Sequence, residues 1–522
     1  MTGKAFQRDG TWTAALLQKT IREKLHGRRL IVVSNREPYL HEYGRDLVVC
    51  ERPASGMVSA IDPVLQACGG LWVAHGSGAA DRLVVNAHDC VAVPPDAPRY
   101  TLKRVWLSKR EEQGYYYGFA NEGLWLLCHV VFARPRFDLS DWQAYVEVNQ
   151  KFAAAILAEM QDTPALVWIQ DYHFALLPRL LKEARPDVLV AQFWHIPWPN
   201  PEAFRICPWK HELLWGLLAN DLLGFHIRYH CDNFLATVER ELEVRVDRER
   251  SSVFHHDEIE TLVRPVPIST DFAALSVHTE SDEVGTEFRR LQSLRAIRGR
   301  RVCLGLDRLD YTKGIPERLR AFERLLVKYP HLQRKVVFVQ AGPESRTLIP
   351  RYKALNEEIV RFVAELNRRY GSPDWVPVVL LRQHLSLTQV LAWYRLAEVC
   401  VVSSLHDGMN LVAKEYVAAK NAEDGVLVLS RFTGAARELD QALLINPYDT
   451  ETFADTLAAA LHMELVEREA RMHRLRDTVK SNNIYRWAGK ILTTLASLPR
   501  QQHPSYSVSA VPIDIAPLAS EA

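Results

Sequence analysis

Several features are missing from this sequence. It has no excess charge of one sign, no closely spaced cysteine pairs and no long apolar run. Its 64 Lys and Arg stand against 63 Asp and Glu, a formal net charge of +1. No general polyanion-binding field follows from that balance, and no basic stripe of the kind that tracks nucleic acid stands out. The eight cysteines are Cys50, Cys68, Cys90, Cys128, Cys207, Cys231, Cys303 and Cys400, and no two form a CxxC pair. That spacing argues against a zinc site or a disulfide frame and for reduced, mostly buried thiols in a cytoplasmic protein. No stretch approaches the ~20 apolar residues that span a bilayer. The first residues, MTGKAFQRDGTWTAALLQKTIREKLHGRR, lack the uninterrupted apolar core of a signal peptide. Their spacing suits a short amphipathic helix. The expectation is a protein that binds neither membrane nor nucleic acid, with homo-oligomerisation left open.

What is present is ample material for two cores: 522 residues, 48% of them hydrophobic. The runs RLIVVSN, GLWVAHG, ALVWIQD and VLVAQFWH read as buried strands, with the helical patterns VEVNQKFAAAILAEM and FALLPRLLKEA between some of them. After VRPVPISTDF the pattern restarts with RVCLGLD, PERLRAFERLLVKY, KVVFVQAG, VPVVLL, VCVVSS and GVLVLS. Buried runs alternating with amphipathic helices predict parallel sheets covered on both faces, hence an α/β chain of two such domains. The expected division is a helical extension over 1–28, a first domain over 29–268, a second over 269–485, a C-terminal helix over 486–500 crossing back to the first domain, and a mobile tail over 501–522. The hinge is expected near Pro267 to Phe272.

In open α/β sheets ligands bind beyond the carboxyl ends of the strands. Arg36, Asp171, His195, Arg308 with Lys313, and Asp407 each follow a strand-like run. In LDRLDYTKGIPERL, two cations share a strand-to-helix loop with Gly314, and Pro316 suits the first helical turn. Such a loop suits a diphosphate; it equally suits a surface salt-bridge loop, since Asp307 and Asp310 are adjacent. In SSLHDGMNLVAKEYVAAK, Gly408 permits close approach of a ligand, and Met409 to Val412 are expected to open a helix. Asp407 and Glu415 can then divide sugar and ribose hydroxyls between them. The plainer alternative is a helix N-cap at Asp407 with a solvated Glu415.

RLDYTKGIPERL, DGMNLVAKEYVAAK, DYH, HIPWP, SRT, DWVPV and GVLVLSRFTGAARELDQALLINPYD together resemble the trehalose-6-phosphate synthase family, from about residue 30 to about residue 498. The resemblance implies a GT-B fold: two Rossmann-like domains facing each other across a cleft, a retaining mechanism, and no catalytic metal or cofactor beyond a nucleotide-sugar co-substrate such as UDP-glucose. Carried over by motif, the donor site comprises Gly56, Arg308, Lys313, Asp407, Gly408, Met409, Asn410, Leu411, Val412 and Glu415. The acceptor site comprises Arg36, Tyr116, Trp125, Asp171 and Arg346, the last reaching across from the second domain. Arg308 and Lys313 would stabilise the departing diphosphate, while His195 and Asp171 would orient the reactants at the catalytic centre.

The sequence also departs from the family pattern. Ser55 replaces the first glycine of a GG loop, Ser269 replaces a hinge glycine, and Ser403-Ser404-Leu405-His406 stands where TPLR-like residues usually precede DGMN. The loop from Glu37 to Pro53 diverges, and its REPY start resembles glucosylglycerol-phosphate synthases. The expected reaction is glucosyl transfer from a nucleoside diphosphate glucose to glucose 6-phosphate. The alternatives are glycerol 3-phosphate as acceptor, a non-catalytic sugar-phosphate-binding homologue, and a sugar-nucleotide epimerase.

Overall fold

The computed structural model describes residues 10–45, 47–53, 56–255, 259–346 and 348–498. The positions before residue 10, Ser55 and the segment beyond 498 lie outside them. Two compact units form: Ala14–Pro267 with residues 488–498, and Ile268–Trp487 with residues 10–13.

In the N-terminal unit the strands are β1 (Arg29–Ser34), β2 (Leu40–Tyr43), β3 (Val48–Glu51), β4 (Leu71–His75), β5 (Cys90–Val93) and β6 (Tyr100–Val105). They continue with β7 (Ala165–Gln170), β8 (Leu189–Phe193), β9 (Leu222–Phe225), β10 (Arg245–Asp247), β11 (Ser252–His255) and β12 (Ile259–Pro265). β2 and β3 pair as a separate antiparallel hairpin. The others form one sheet in the order β10-β11-β12-β9-β8-β7-β1-β4-β6-β5, parallel from β12 to β6 with antiparallel edges. The central strands β4, β7 and β8 are buried at every position, as strands covered on both faces must be. From β1 the chain proceeds through β4 to β6 on one side and through β7, β8, β9 and β12 on the other. The order therefore reverses between β1 and β7. The amphipathic helix expected near the start runs over Ala14–Leu25, buries Leu17 and Ile21 one turn apart, and packs on the helix Gly56–Cys68.

One helical segment of this unit has an unusual winding. Residues Gln113–Leu124 form a π-helix joined at both ends to short α-helical turns. Such windings are rare and commonly mark functional sites.

The C-terminal unit carries β13 (Arg301–Leu306), β14 (Val336–Ala341), β15 (Val378–Leu381), β16 (Val399–Val402), β17 (Val426–Ser430) and β18 (Leu443–Ile445). All pair in parallel, in the order β15-β14-β13-β16-β17-β18. This is the dinucleotide-fold order, with its switch point between β13 and β16. Each strand of β13 to β17 coincides with an apolar run read from the sequence. Beneath the sheet, Leu319, Phe322, Leu325 and Leu326 of the helix Ile315–Lys328 pack with Phe338, Leu457 and Leu461. Among the described residues no helix is long and apolar enough to cross a membrane.

Candidate active site

At the β13/β16 switch point the chain gathers charge. After β13, Asp307, Arg308 and Asp310 lead into a single 3-10 turn, Tyr311–Lys313, and then into the helix starting at Ile315. Gly314 makes that turn with φ +60°, and a β-carbon there would strike the carbonyl of Ser403. Pro316 occupies the first helical turn. Lys313 Nζ lies 2.5 Å from Asp407 Oδ2. Ser404 Oγ donates to the same oxygen at 3.1 Å, and Asn410 Nδ2 at 3.2 Å. The loop carrying Asp407, Gly408 and Met409 is tied to the segment after β17: Asp407 N–H donates to Phe432 O, and Ala435 N–H to Met409 O.

The following helix spans Leu411–Ala419. It begins two residues later than the Met409 expected from the sequence. Asn410, at φ +75°, is the N-cap and accepts the Ala413 N–H at 3.3 Å. The capping role therefore belongs to Asn410, and Asp407 is held by Lys313 instead. Leu411 and Val412 form the first turn, where backbone amides lack intrahelical acceptors. Glu415 sits one turn on and accepts from Tyr394 Oη at 3.2 Å. Burial raises its carboxyl above the usual range, and the Tyr394 hydrogen bond opposes that only in part.

Arg318, in the first turn of the helix Ile315–Lys328, was not singled out in the sequence. It is wholly buried. Its guanidinium meets Asp307 Oδ2 at 2.5 Å, Ser403 Oγ at 2.7 Å, Gln340 Oε1 at 3.2 Å and the Lys313 carbonyl at 3.1 Å. The loops after β13 and β16 are thus locked to one another. Burial alone would raise Asp310, but Arg346, Arg308 and Lys313 outweigh it and hold its carboxyl below the ordinary value. Arg346 lies in this unit, against Asp310 Oδ2 at 3.3 Å and against the Tyr352 hydroxyl.

The N-terminal unit brings a second set together at its own switch point. Arg36 follows β1, and its Nη2 donates to Tyr116 Oη at 3.3 Å. Tyr116 projects from the π-helix and stacks on His173, with ring centroids 5.7 Å apart. Gly118 lets that helix lie against its neighbour, since a β-carbon there would land on the Asp141 carboxylate. Asp171 follows β7 at φ +73°, and Oδ1 accepts the backbone N–H groups of Tyr172 at 2.9 Å and His195 at 3.2 Å. His195 follows β8. Burial, with His173 nearby, drives its imidazole down to about 3, so it is neutral and donates from Nε2 to Gln170 Oε1 at 2.9 Å. Gln170, fully buried at the end of β7, was not singled out in the sequence; its position at a strand end beside Asp171 was the available signal. Trp125 is buried beside Tyr172, with ring centroids 6.0 Å apart. Gly56 opens the helix Gly56–Cys68. Among the described residues no cluster of three or more His, Cys, Asp or Glu could hold a metal ion.

Two Rossmann-like units, each with charged residues gathered at the switch point of its sheet, define an enzyme of the GT-B glycosyltransferase class. The chain belongs to glycosyltransferase family 20, whose sequence model matches residues 28–497. It is 39% identical over 475 residues to the trehalose-6-phosphate synthase of Mycobacterium avium (strain 104), covering 89% of this chain and 95% of that one. It is 37% identical over 478 residues to the trehalose-6-phosphate synthase of Mycobacterium leprae, covering 90% and 95%. Among solved structures it resembles an α,α-trehalose-phosphate synthase (UDP-forming) from Burkholderia xenovorans in complex with glucose-6-phosphate. The TM-score is 0.80 at 30% identity, covering 90% of this chain and all of that one (100%). It also resembles trehalose-6-phosphate from E. coli bound with UDP-2-fluoro glucose, with TM-score 0.79 at 31% identity, covering 90% and 99%.

Proposed function

We propose that this enzyme transfers glucose from UDP-glucose to glucose 6-phosphate, forming α,α-trehalose 6-phosphate with retention at the anomeric carbon. The observation that carries the reading is the convergence of Arg308, Lys313, Asp407, Asn410 and the Leu411 helix start at one switch point. Cations and backbone N–H groups at a helix start suit a diphosphate, and a carboxylate beside them suits sugar hydroxyls. The names of the relatives, and the UDP-2-fluoro glucose and glucose-6-phosphate held by the two solved structures, support the same choice of substrates.

In this reading Arg308 and Lys313 stabilise charge building on the departing β-phosphate, the electrostatic contribution that dominates such steps. Gly408 to Val412 face the donor, and Glu415 takes the ribose. On the acceptor side Arg36 and Tyr116 hold the phosphate, with Trp125 against the sugar. Asp171 orients the attacking hydroxyl. His195, neutral and tethered to Gln170, borders the reacting carbon. The glycosidic bond to the diphosphate breaks, the acceptor oxygen bonds to the same face of the anomeric carbon, and the acceptor proton passes to the leaving phosphate oxygen. The protein supplies no nucleophile.

The test is product identification by mass after incubation with UDP-, ADP- or GDP-glucose, each paired with glucose 6-phosphate or glycerol 3-phosphate. Trehalose phosphate from UDP-glucose and glucose 6-phosphate is the expected result. Release of no nucleotide diphosphate with any pair would sink the transferase reading, and product only with glycerol 3-phosphate would move the acceptor.

A further inference from the structure

The stretch Ser403–His406 is where this chain departs from the TPLR-like pattern, and Ser404 in it sits against the carboxylate of Asp407. Its side chain is fully buried. The hydroxyl donates to Asp407 Oδ2 at 3.1 Å and accepts from Asn410 Nδ2 at 3.3 Å, while the same Asn410 nitrogen reaches Asp407 Oδ2 at 3.2 Å. Serine, asparagine and aspartate therefore close a triangle, with Lys313 Nζ as the third donor to Oδ2. Three donors converging on one oxygen fix the carboxylate plane.

The neighbouring Ser403 has a different task. Its one hydroxyl proton is shared between the carbonyls of Lys313 and Gly314, at 3.0 and 2.9 Å, and its oxygen accepts from Arg318 Nε at 2.7 Å. A threonine hydroxyl at that position would serve equally. The proline that the TPLR-like pattern places at 404 offers no hydroxyl for such a bond.

We propose that Ser404 is a positioning residue for sugar recognition, holding Asp407 in the orientation that receives the donor-sugar hydroxyls. This rests on the reading of Asp407 as the donor-sugar ligand. Lys313 cannot hold Asp407 alone once a diphosphate is bound, because the phosphate oxygens compete for its ammonium group. Ser404 and Asn410 are neutral donors without that competition, so they keep the carboxylate in register in the loaded enzyme. Removing the hydroxyl loosens Asp407 toward the sugar and leaves the diphosphate loop, braced by Ser403 and Arg318, as it was.

The test compares full-length wild type, Ser404→Ala and Ser404→Thr. Measured for each are KM for UDP-glucose, kcat/KM for UDP-glucose relative to UDP-galactose, and Kd for UDP alone by calorimetry. A hydrogen bond to a charged group is worth enough for a roughly tenfold effect. Ser404→Ala is expected to raise KM for UDP-glucose about tenfold and to erode the preference over UDP-galactose, with UDP affinity within about twofold of wild type. Ser404→Thr, which keeps the hydroxyl, restores both sugar-dependent values. A role in loop stability alone would weaken UDP and UDP-glucose by the same factor, and that result overturns the proposal. So does an unchanged KM and selectivity in Ser404→Ala. A wild type that binds UDP but transfers no sugar from UDP-glucose overturns the transferase reading, and this role with it. An active wild type with an unaltered Ser404→Ala overturns the role of Ser404 alone.

Discussion

Arg308 and Arg36 are both phosphate ligands in the proposed reaction, yet their removal should read out differently. Arg308 meets charge that develops only as the donor bond breaks. Its replacement by alanine is expected to lower kcat by about 100- to 1,000-fold, since a donor to developing charge is worth ~3–4 kcal/mol. Arg36 meets a phosphate that is unchanged through the reaction, so Arg36→Ala should raise KM for glucose 6-phosphate far more than it lowers kcat. Steady-state kinetics varying each substrate in turn separates the two. At this scale the sequence was legible where a polar side chain follows a strand, as Arg308, Lys313, Asp171 and His195 do. It was opaque where burial decides the role. Arg318 lies in PERLRAFERLLVKY, a pattern in which any arginine reads as a solvated helix face, yet it is wholly buried between two loops. Asn410 read as one backbone amide among several, while its side chain both caps a helix and holds Asp407.

The apolar runs that marked β1, β4, β7, β8 and the strands β13 to β17 became those strands because burial on both faces leaves an uninterrupted signal. The short edge strands β5, β10 and β11 and the β2/β3 hairpin, three or four residues each, were not seen. The π-helix was hidden for a different reason. Amphipathic patterns are recognised at a period of 3.6, and YYYGFANEGLW holds too many glycines and aromatics for that period to show. The turn at Gly314 is where one element's geometry is most exposed to test. Its positive φ and the nearby Ser403 carbonyl both oppose a β-carbon. Gly314→Ala should destabilise the enzyme by about 1–3 kcal/mol and weaken nucleotide binding, since Lys313 precedes it. Thermal melting with and without UDP measures both; a melting temperature and a UDP-induced shift equal to wild type would mean the turn tolerates the methyl group.

For the whole molecule, the cysteines give a direct report on how the cores are built. Cys128, Cys207, Cys231, Cys303 and Cys400 are buried, Cys68 and Cys90 half-buried, and Cys50 exposed on the hairpin, all as free thiols. Burial pushes the Cys207, Cys231 and Cys303 thiols up to about 12, so they are both shielded and protonated near neutral pH. A thiol reagent added to the native enzyme is expected to modify Cys50 first, with Cys68 and Cys90 slower and the five buried thiols unreactive until denaturant is added. Peptide mapping after labelling checks this order; early labelling of Cys303 or Cys400 would contradict the packing of the C-terminal sheet. The two-sheet organisation was legible because the α/β pattern restarts along the chain. The reversal of strand order that makes each switch point was not, since pairing order leaves no local trace in sequence.

The charges around β13 and β16 have an electrical consequence. Arg308, Lys313, Arg318 and Arg346 face Asp307, Asp310 and Asp407, leaving one positive charge in excess among these seven groups. A pocket so nearly self-neutralised exerts little pull at a distance. Capture of the donor is then expected to vary only weakly with ionic strength. Discrimination happens at contact, where a ligand must offer an anion to Lys313 and hydroxyls to Asp407 together to offset parting the two.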